Sequence, residues 1–177
     1  AAAVTDTSTL DKTAPSGHSI SVDQAIINSA NEAALSFTFS GGEVSATYDY
    51  SISSDGGGVP VTGSGTLATA TDQVSAQDVS GLGDGTLTVS VTLTDPAGNV
   101  ATAATTTIEK DSTAPSGYSV SFDQAAVNNT NETAISYTFA AAEVGASYSY
   151  TISSDAGGTD VTASGTITTA TDTINAI

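Results

Sequence analysis

The sequence has no cysteine, methionine, tryptophan or arginine, one histidine, and two lysines against nineteen Asp and Glu. Each shortage excludes something. Without cysteine there is no disulfide framework, thiol chemistry or thiolate-held zinc. Two cations cannot neutralise a row of phosphates, so nucleic acid is not a partner. They cannot form a polybasic patch for an anionic membrane either. No apolar run approaches the ~20 residues of a membrane span, so direct membrane insertion is not expected. A single histidine gives no His-rich metal cluster and little acid–base chemistry.

What is present is acid, small polar residues and evenly spread apolar residues. The net charge is −17, and 38% of residues are hydrophobic. High charge with few aromatics is a signature of disorder, but scattered β-branched residues and dispersed acids argue against an acidic tail. The opening AAAVTDTSTL has neither a basic start nor an apolar core, so it does not read as a secretory leader. The chain reads as a piece cut from inside a larger protein.

An internal repeat sets the organisation. DKTAPSGHSI at 11–20 returns as DSTAPSGYSV at 111–120, and the 100-residue offset holds without a gap, with about 39 of 67 aligned positions identical. Ile20 becomes Val120, Leu35 becomes Ile135 and Phe37 becomes Tyr137. Apolar residues stay apolar at alternate positions, as a buried strand face requires. The expected divisions are a closing strand of a preceding repeat or a linker at 1–10, a complete repeat at 11–110, and a second repeat at 111–177 that lacks the counterpart of 78–110.

Period-two patterns predict strands at 19–23, 35–39, 44–53, 65–70, 73–79, 86–94 and 99–109. Leu87, Val89, Val91 and Leu93 make the clearest of them. Gly, Asp, Asn and Pro clusters supply the turns, and 24–34 is the one place for a helical turn or long loop. Seven short strands per ~100 residues predict an all-β antiparallel sandwich. Asp55–Gly58 reads as a mobile hairpin tip rather than a phosphate cradle, since no helix or lysine follows it.

No nucleophile–base–orienter set is evident. The only histidine, His18, is replaced by Tyr118 in the second copy, so an enzyme is not expected. Oxygen ligands remain, and Ca²⁺ takes six to eight of them. With up-and-down strands, loops alternate between the two ends. One end would gather Asp11, Glu43, Asp95 and Asn99. The other would gather Asp23, Asn28, Asn31, Glu32 and Asp84 beside the linker at Asp111, where the next copy brings Glu143. Carboxylates crowded at such a junction repel one another unless a divalent cation bridges them, and the expected cofactor is Ca²⁺.

Asp-x-Thr-Ala-Pro at 11–15 and 111–115, Leu-Gly-Asp-Gly-Thr at 82–86 and Thr-Asp-Pro-Ala-Gly-Asn at 94–99 resemble the bacterial immunoglobulin-like repeats of giant surface adhesins. These include the extender repeats of RTX adhesins and biofilm-associated proteins. The resemblance implies an immunoglobulin-like β-sandwich in tandem, exported to the cell surface. It implies Ca²⁺ stiffening each junction, with Asp11 and Asp111 as linker ligands and Asp95 and Asn99 close by. The expected partners are neighbouring repeats of the same chain and calcium ions, in a monomer. The alternative function is a glycan- or protein-binding module, with Tyr48, Tyr50, Tyr148 and Tyr150 on one face. The missing part of the second copy has three readings: a cut made without regard to domain boundaries, which is favoured; a permuted unit at 78–177; or pairing supplied by another chain, with 1–10 available as a strand.

Overall fold

A computed structural model of the chain describes residues 8–175. Residues 1–7, most of the segment read above as a closing strand or linker, lie outside them. The chain divides into two compact units, Ala1–Thr113 and Ala114–Ile177.

Unit 1 contains β1 (Ser19–Val22), β2 (Leu35–Ser40), β3 (Thr47–Ser54), β4 (Val61–Thr66), β5 (Gln73–Gln77), β6 (Gly85–Thr94) and β7 (Ala104–Lys110). They form two antiparallel sheets, of order β1-β2-β5 and β4-β3-β6-β7. The alternation in the sequence sets the inner faces. Leu35, Phe37 and Phe39 are buried from one sheet, and Ile52, Leu87, Val89, Val91 and Leu93 from the other. Each aliphatic side chain buried this way contributes roughly 1.5–3 kcal/mol. Aromatic edges join the layers: the rings of Phe37 and Tyr50 lie 5.4 Å apart at 71°, and those of Phe39 and Tyr48 lie 5.3 Å apart. The result is an immunoglobulin-like β-sandwich. Its fourth strand pairs with β3 instead of joining the first sheet as in a constant-type domain.

Several boundaries differ from the sequence expectation for local reasons. β3 begins at Thr47 because Glu43–Ala46 forms a turn, with Ala46 N–H donating to Glu43 O and Ser45 at φ +73°. The strand expected at 65–70 lies at 61–66, and the Asp72 carboxylate instead caps the turn after it, accepting the Ala68 and Thr69 amides. β5 carries a bulge where the register shifts, with Ala76 at φ +57°. β7 begins five residues late because Asn99–Ala103 still belongs to the preceding loop. The Asp55–Gly58 tip is pinned rather than mobile. Ser54 Oγ donates to Gly83 O at 2.7 Å, Gly83 N–H to Gly57 O at 2.9 Å, and Thr86 N–H to Asp55 Oδ1 at 2.8 Å.

Unit 2 repeats the plan with β8 (Ser119–Phe122), β9 (Ser136–Ala140), β10 (Ser147–Ile152), β11 (Val161–Thr166) and β12 (Thr173–Asn175), in sheets β8-β9-β12 and β10-β11. Its buried cluster comprises Tyr137, Phe139, Ala142 and Ile167. Among the described residues no helix is long and apolar enough to cross a membrane.

Candidate functional site

The loops of unit 1 separate into two ends, and each end has its own chemistry. At the entry end, Asp95 and Asn99 close the loop between β6 and β7. The Asp95 carboxylate is 5% exposed. Its Oδ1 accepts the Ala97 and Asn99 amides at 2.9 and 2.8 Å, and its Oδ2 accepts Asn99 Nδ2 at 2.7 Å. These donors, the Asn99 side chain foremost, hold its pKa below the usual carboxylate value. Asn99 Nδ2 also reaches the carbonyl of Asp11 at 3.4 Å. Asp11, Asp95 and Asn99 are therefore brought together. Every hydrogen bond among them is donated by an N–H, and Asp11 takes part through its backbone. The Asp11 carboxylate accepts the Thr13 amide, and that of Asp111 accepts the Thr113 amide. Glu43 and Glu143 are exposed, and each offers its backbone carbonyl to a turn.

At the exit end the carboxylates do converge, and they converge on a lysine. Lys110, the last residue of β7, is 3% exposed. Its Nζ lies 3.0 Å from Asp84 Oδ1 and 3.1 Å from Glu32 Oε2, and donates to Ser112 Oγ at 2.8 Å. All three ammonium protons are thereby used. Asp84 reaches further along the chain: Oδ1 also accepts the Ser112 amide at 2.9 Å and the Ser112 hydroxyl at 2.7 Å, while Oδ2 accepts the Thr113 hydroxyl at 2.7 Å. The Thr113 and Ser112 donors and then Lys110 hold the Asp84 carboxyl well below the usual carboxylate range. For Lys110, burial is the largest influence and opposes the charge. The bonds and charges of Asp84 and Glu32 together outweigh it, and its pKa is raised.

The loop that presents Glu32 is an asparagine turn. Asn31 Oδ1 accepts the Asn28 amide at 2.8 Å, Asn31 Nδ2 donates to Ile26 O at 3.0 Å, and Asn28 Oδ1 accepts the Ala30 amide at 3.0 Å. Unit 2 reproduces it at Asn128 and Asn131. The recurrence of these asparagines between copies is accounted for by turn formation. Asp23 stands apart from this cluster. Burial pushes its pKa up, but hydrogen bonds with Ser36, Thr38 and Gln73 outweigh that and lower it.

The same end contains the link between entry and exit segments. Ile27, fully buried, forms a parallel bridge with Lys110. Its amide donates to Glu109 O and its carbonyl accepts the Asp111 amide, both at 2.9 Å.

The fit to calcium follows from these donors. Among the described residues no group of three or more His, Cys, Asp or Glu is placed to hold a metal ion. The convergent pair Glu32 and Asp84 is already neutralised by Lys110, and the Asp95 oxygens are taken by N–H groups of its own loop. The donor set within unit 1 does not fit Ca²⁺. Lys110 is the functional residue that the reading by composition missed. His18 Nδ1 and Nε2 are buried without a hydrogen-bond partner. Tyr50 is buried and Tyr48 packs on the core, which removes them from a binding face.

No protein-family model and no curated protein matches the chain. Among solved structures it is similar to a tetra-tandem repeat in the extending region of a large adhesion protein, at 24% identity and a TM-score of 0.43. The match covers 90% of this chain, which spans 40% of that solved chain.

Proposed function

We propose that the chain is a stretch of a tension-bearing structural spacer, built of tandem immunoglobulin-like modules and belonging to a bacterial surface adhesin. The observation that carries this reading is the parallel pairing of Ile27 with Lys110. A pull on the segment before β1 and on the segment after β7 draws the Ile27 segment and the end of β7, joined by this one bridge, in opposite directions along their common axis. Their hydrogen bonds are then loaded together, in shear, rather than one at a time. The Lys110 cluster reinforces the same spot by tying the departing segment, Ser112 and Thr113, to the Asp84 loop.

The repeat supports the reading, since a spacer gains length by copying one unit. The charge of −17 supports it too, because like-charged modules stay soluble when crowded. Placement on the cell surface follows from the adhesin motifs at 11–15, 82–86 and 94–99. A spacer of this kind needs no catalytic step. A calcium ion, which those motifs imply, would need ligands from outside unit 1, and no part of the mechanism proposed for unit 1 runs through it.

Force spectroscopy on the chain, held at its two ends, tests the proposal. Unit 1 should rupture in one event, releasing about 30 nm of contour length, and Lys110→Met should lower the rupture force. Gradual yielding of unit 1 without a discrete peak would sink the reading.

A further inference from the structure

The asparagine turn differs between the two units in one chemical respect. Unit 1 has Ala30 and Ala33 where unit 2 has Thr130 and Thr133. The two changes create Asn128-Asn129-Thr130 and Asn131-Glu132-Thr133, the two places in the chain where Ser or Thr stands two residues after Asn. That tripeptide is the acceptor pattern for attachment of sugar to an asparagine amide. It is short, and the geometry of the turn decides between the two candidates.

Asn131 is engaged at both ends of its side chain. Its Oδ1 accepts the Asn128 amide at 2.7 Å, and its Nδ2 donates to Ala126 O at 2.9 Å. Asn128 is engaged through oxygen alone. Its Oδ1 accepts the Thr130 amide at 2.9 Å and the Thr130 hydroxyl at 2.6 Å. Among the described residues nothing accepts from Asn128 Nδ2, and Asn128, Asn129 and Thr130 are all exposed. The same turn in unit 1 lies against β7 through Ile27, yet Ser29 and Ala30 stay exposed and Asn28 half-buried. The turn is therefore a surface feature of the module. An amide nitrogen is a weak nucleophile, because its lone pair is shared with the carbonyl. Two donors on Oδ1 stabilise negative charge there and so ease the loss of an Nδ2 proton. In unit 1 Asn28 Oδ1 receives the Ala30 amide, and Ala30 has no hydroxyl to add.

We infer that Asn128 is an N-glycosylation site, modified by a transferase that uses a diphosphate-activated sugar. In the transfer a bond forms between Nδ2 and the anomeric carbon of the sugar. The bond from that carbon to the diphosphate oxygen breaks, and the diphosphate leaves with the electron pair. One Nδ2 proton passes to a base of the transferase. Oδ1 keeps its bond to the Thr130 amide, so the turn persists after the sugar is attached. Asn131 remains unmodified, because its Nδ2 is held by Ala126 O and its release would break the turn. The sugar would add a bulky, solvated group to one end of unit 2, and the mechanical role of unit 1 does not depend on it.

Peptide mapping by mass spectrometry of the chain recovered from the cells that make it tests the inference. The peptide containing Asn128 should carry a sugar on that residue, and an unmodified Asn128 would overturn the site. Two reactions on the purified, folded chain distinguish the source of the sugar. One supplies a soluble transferase with a nucleoside diphosphate hexose, the other a membrane transferase with a lipid diphosphate oligosaccharide. Transfer in either should favour Asn128 over Asn131 at least tenfold and should fall at least tenfold in Thr130→Ala. Ala30→Thr should create a second acceptor at Asn28. Transfer in neither reaction, equal modification of Asn131, or transfer unchanged by Thr130→Ala would each overturn the inference. The melting temperature of unit 2 in Thr130→Ala should stay close to that of the native chain, which separates loss of the acceptor from loss of the fold.

Discussion

The ammonium of Lys110 lies 3.0 Å from the carboxylate of Asp84, and that carboxylate in turn holds the amide and hydroxyl of Ser112. The pair joins the end of the last strand, the loop before β6 and the first residues beyond the sandwich. Removing the cation leaves Glu32 and Asp84 facing each other. Lys110→Met should therefore destabilise unit 1 by about 2 kcal/mol, less than a fully buried broken pair because both acids keep some water. The melting temperature of unit 1 should fall on the order of 10 °C, with the unit 2 transition unmoved.

The pH dependence of the cluster has a definite sign. The Asp84 pKa is depressed in the folded state, so its contribution is present above the unfolded value near 4 and is lost as pH falls through the lower folded value. The Lys110 pKa is raised, so its contribution is present below about pH 10 and is lost as pH rises through the folded value. The difference in unit 1 melting temperature between the native chain and Asp84→Asn should be flat from about pH 5 to 9 and shrink below about pH 4.

Close backbone packing holds Asp84 in place. A Cβ added at Gly56 would overlap the Asp84 carbonyl, and one at Gly83 would overlap the Gly56 carbonyl. Gly56→Ala should push the two loops apart and cost about 2 kcal/mol. The Ser112 amide should lose its protection in the same variant, which NMR-detected exchange would register.

The two units correct each other at left-handed positions. Ser45 sits at φ +73° where unit 2 has Gly145, and Ala141 sits at φ +55° where unit 1 has Gly41. Ser45→Gly should stabilise unit 1, and Ala141→Gly unit 2, each by about 0.5–1 kcal/mol. Thermal unfolding of the two variants checks both.

These outcomes bear on what the sequence made legible. Strands with large residues on one parity, such as β2 and β6, could be read directly. β4 could not, because its alternate residues Gly63 and Gly65 lie opposite Tyr50 and Tyr48, and a Cβ at either would overlap the ring. Those positions are vacated for the tyrosines, so no apolar alternation remains to be read. The convergence of Glu32 and Asp84 was legible from the alternation of loops, but the cation between them was not. A single lysine at a strand end reads as solvated, although Ile108 and Lys110 share a parity and Ile108 is a core residue. That parity was the available signal. Asn28 and Asn31 were legible as a recurring pair, and the hydrogen bonds they make in both units fix their part as turn formers.

In this mechanism a lysine, rather than a divalent ion, fixes the segment that leaves unit 1. Hydrogen exchange at the Ser112 amide, measured in calcium and in chelator, tests this most directly. The amide should be protected at least tenfold, equally in both solutions, and should lose that protection in Lys110→Met. Protection that appears only with calcium and survives Lys110→Met would contradict the account.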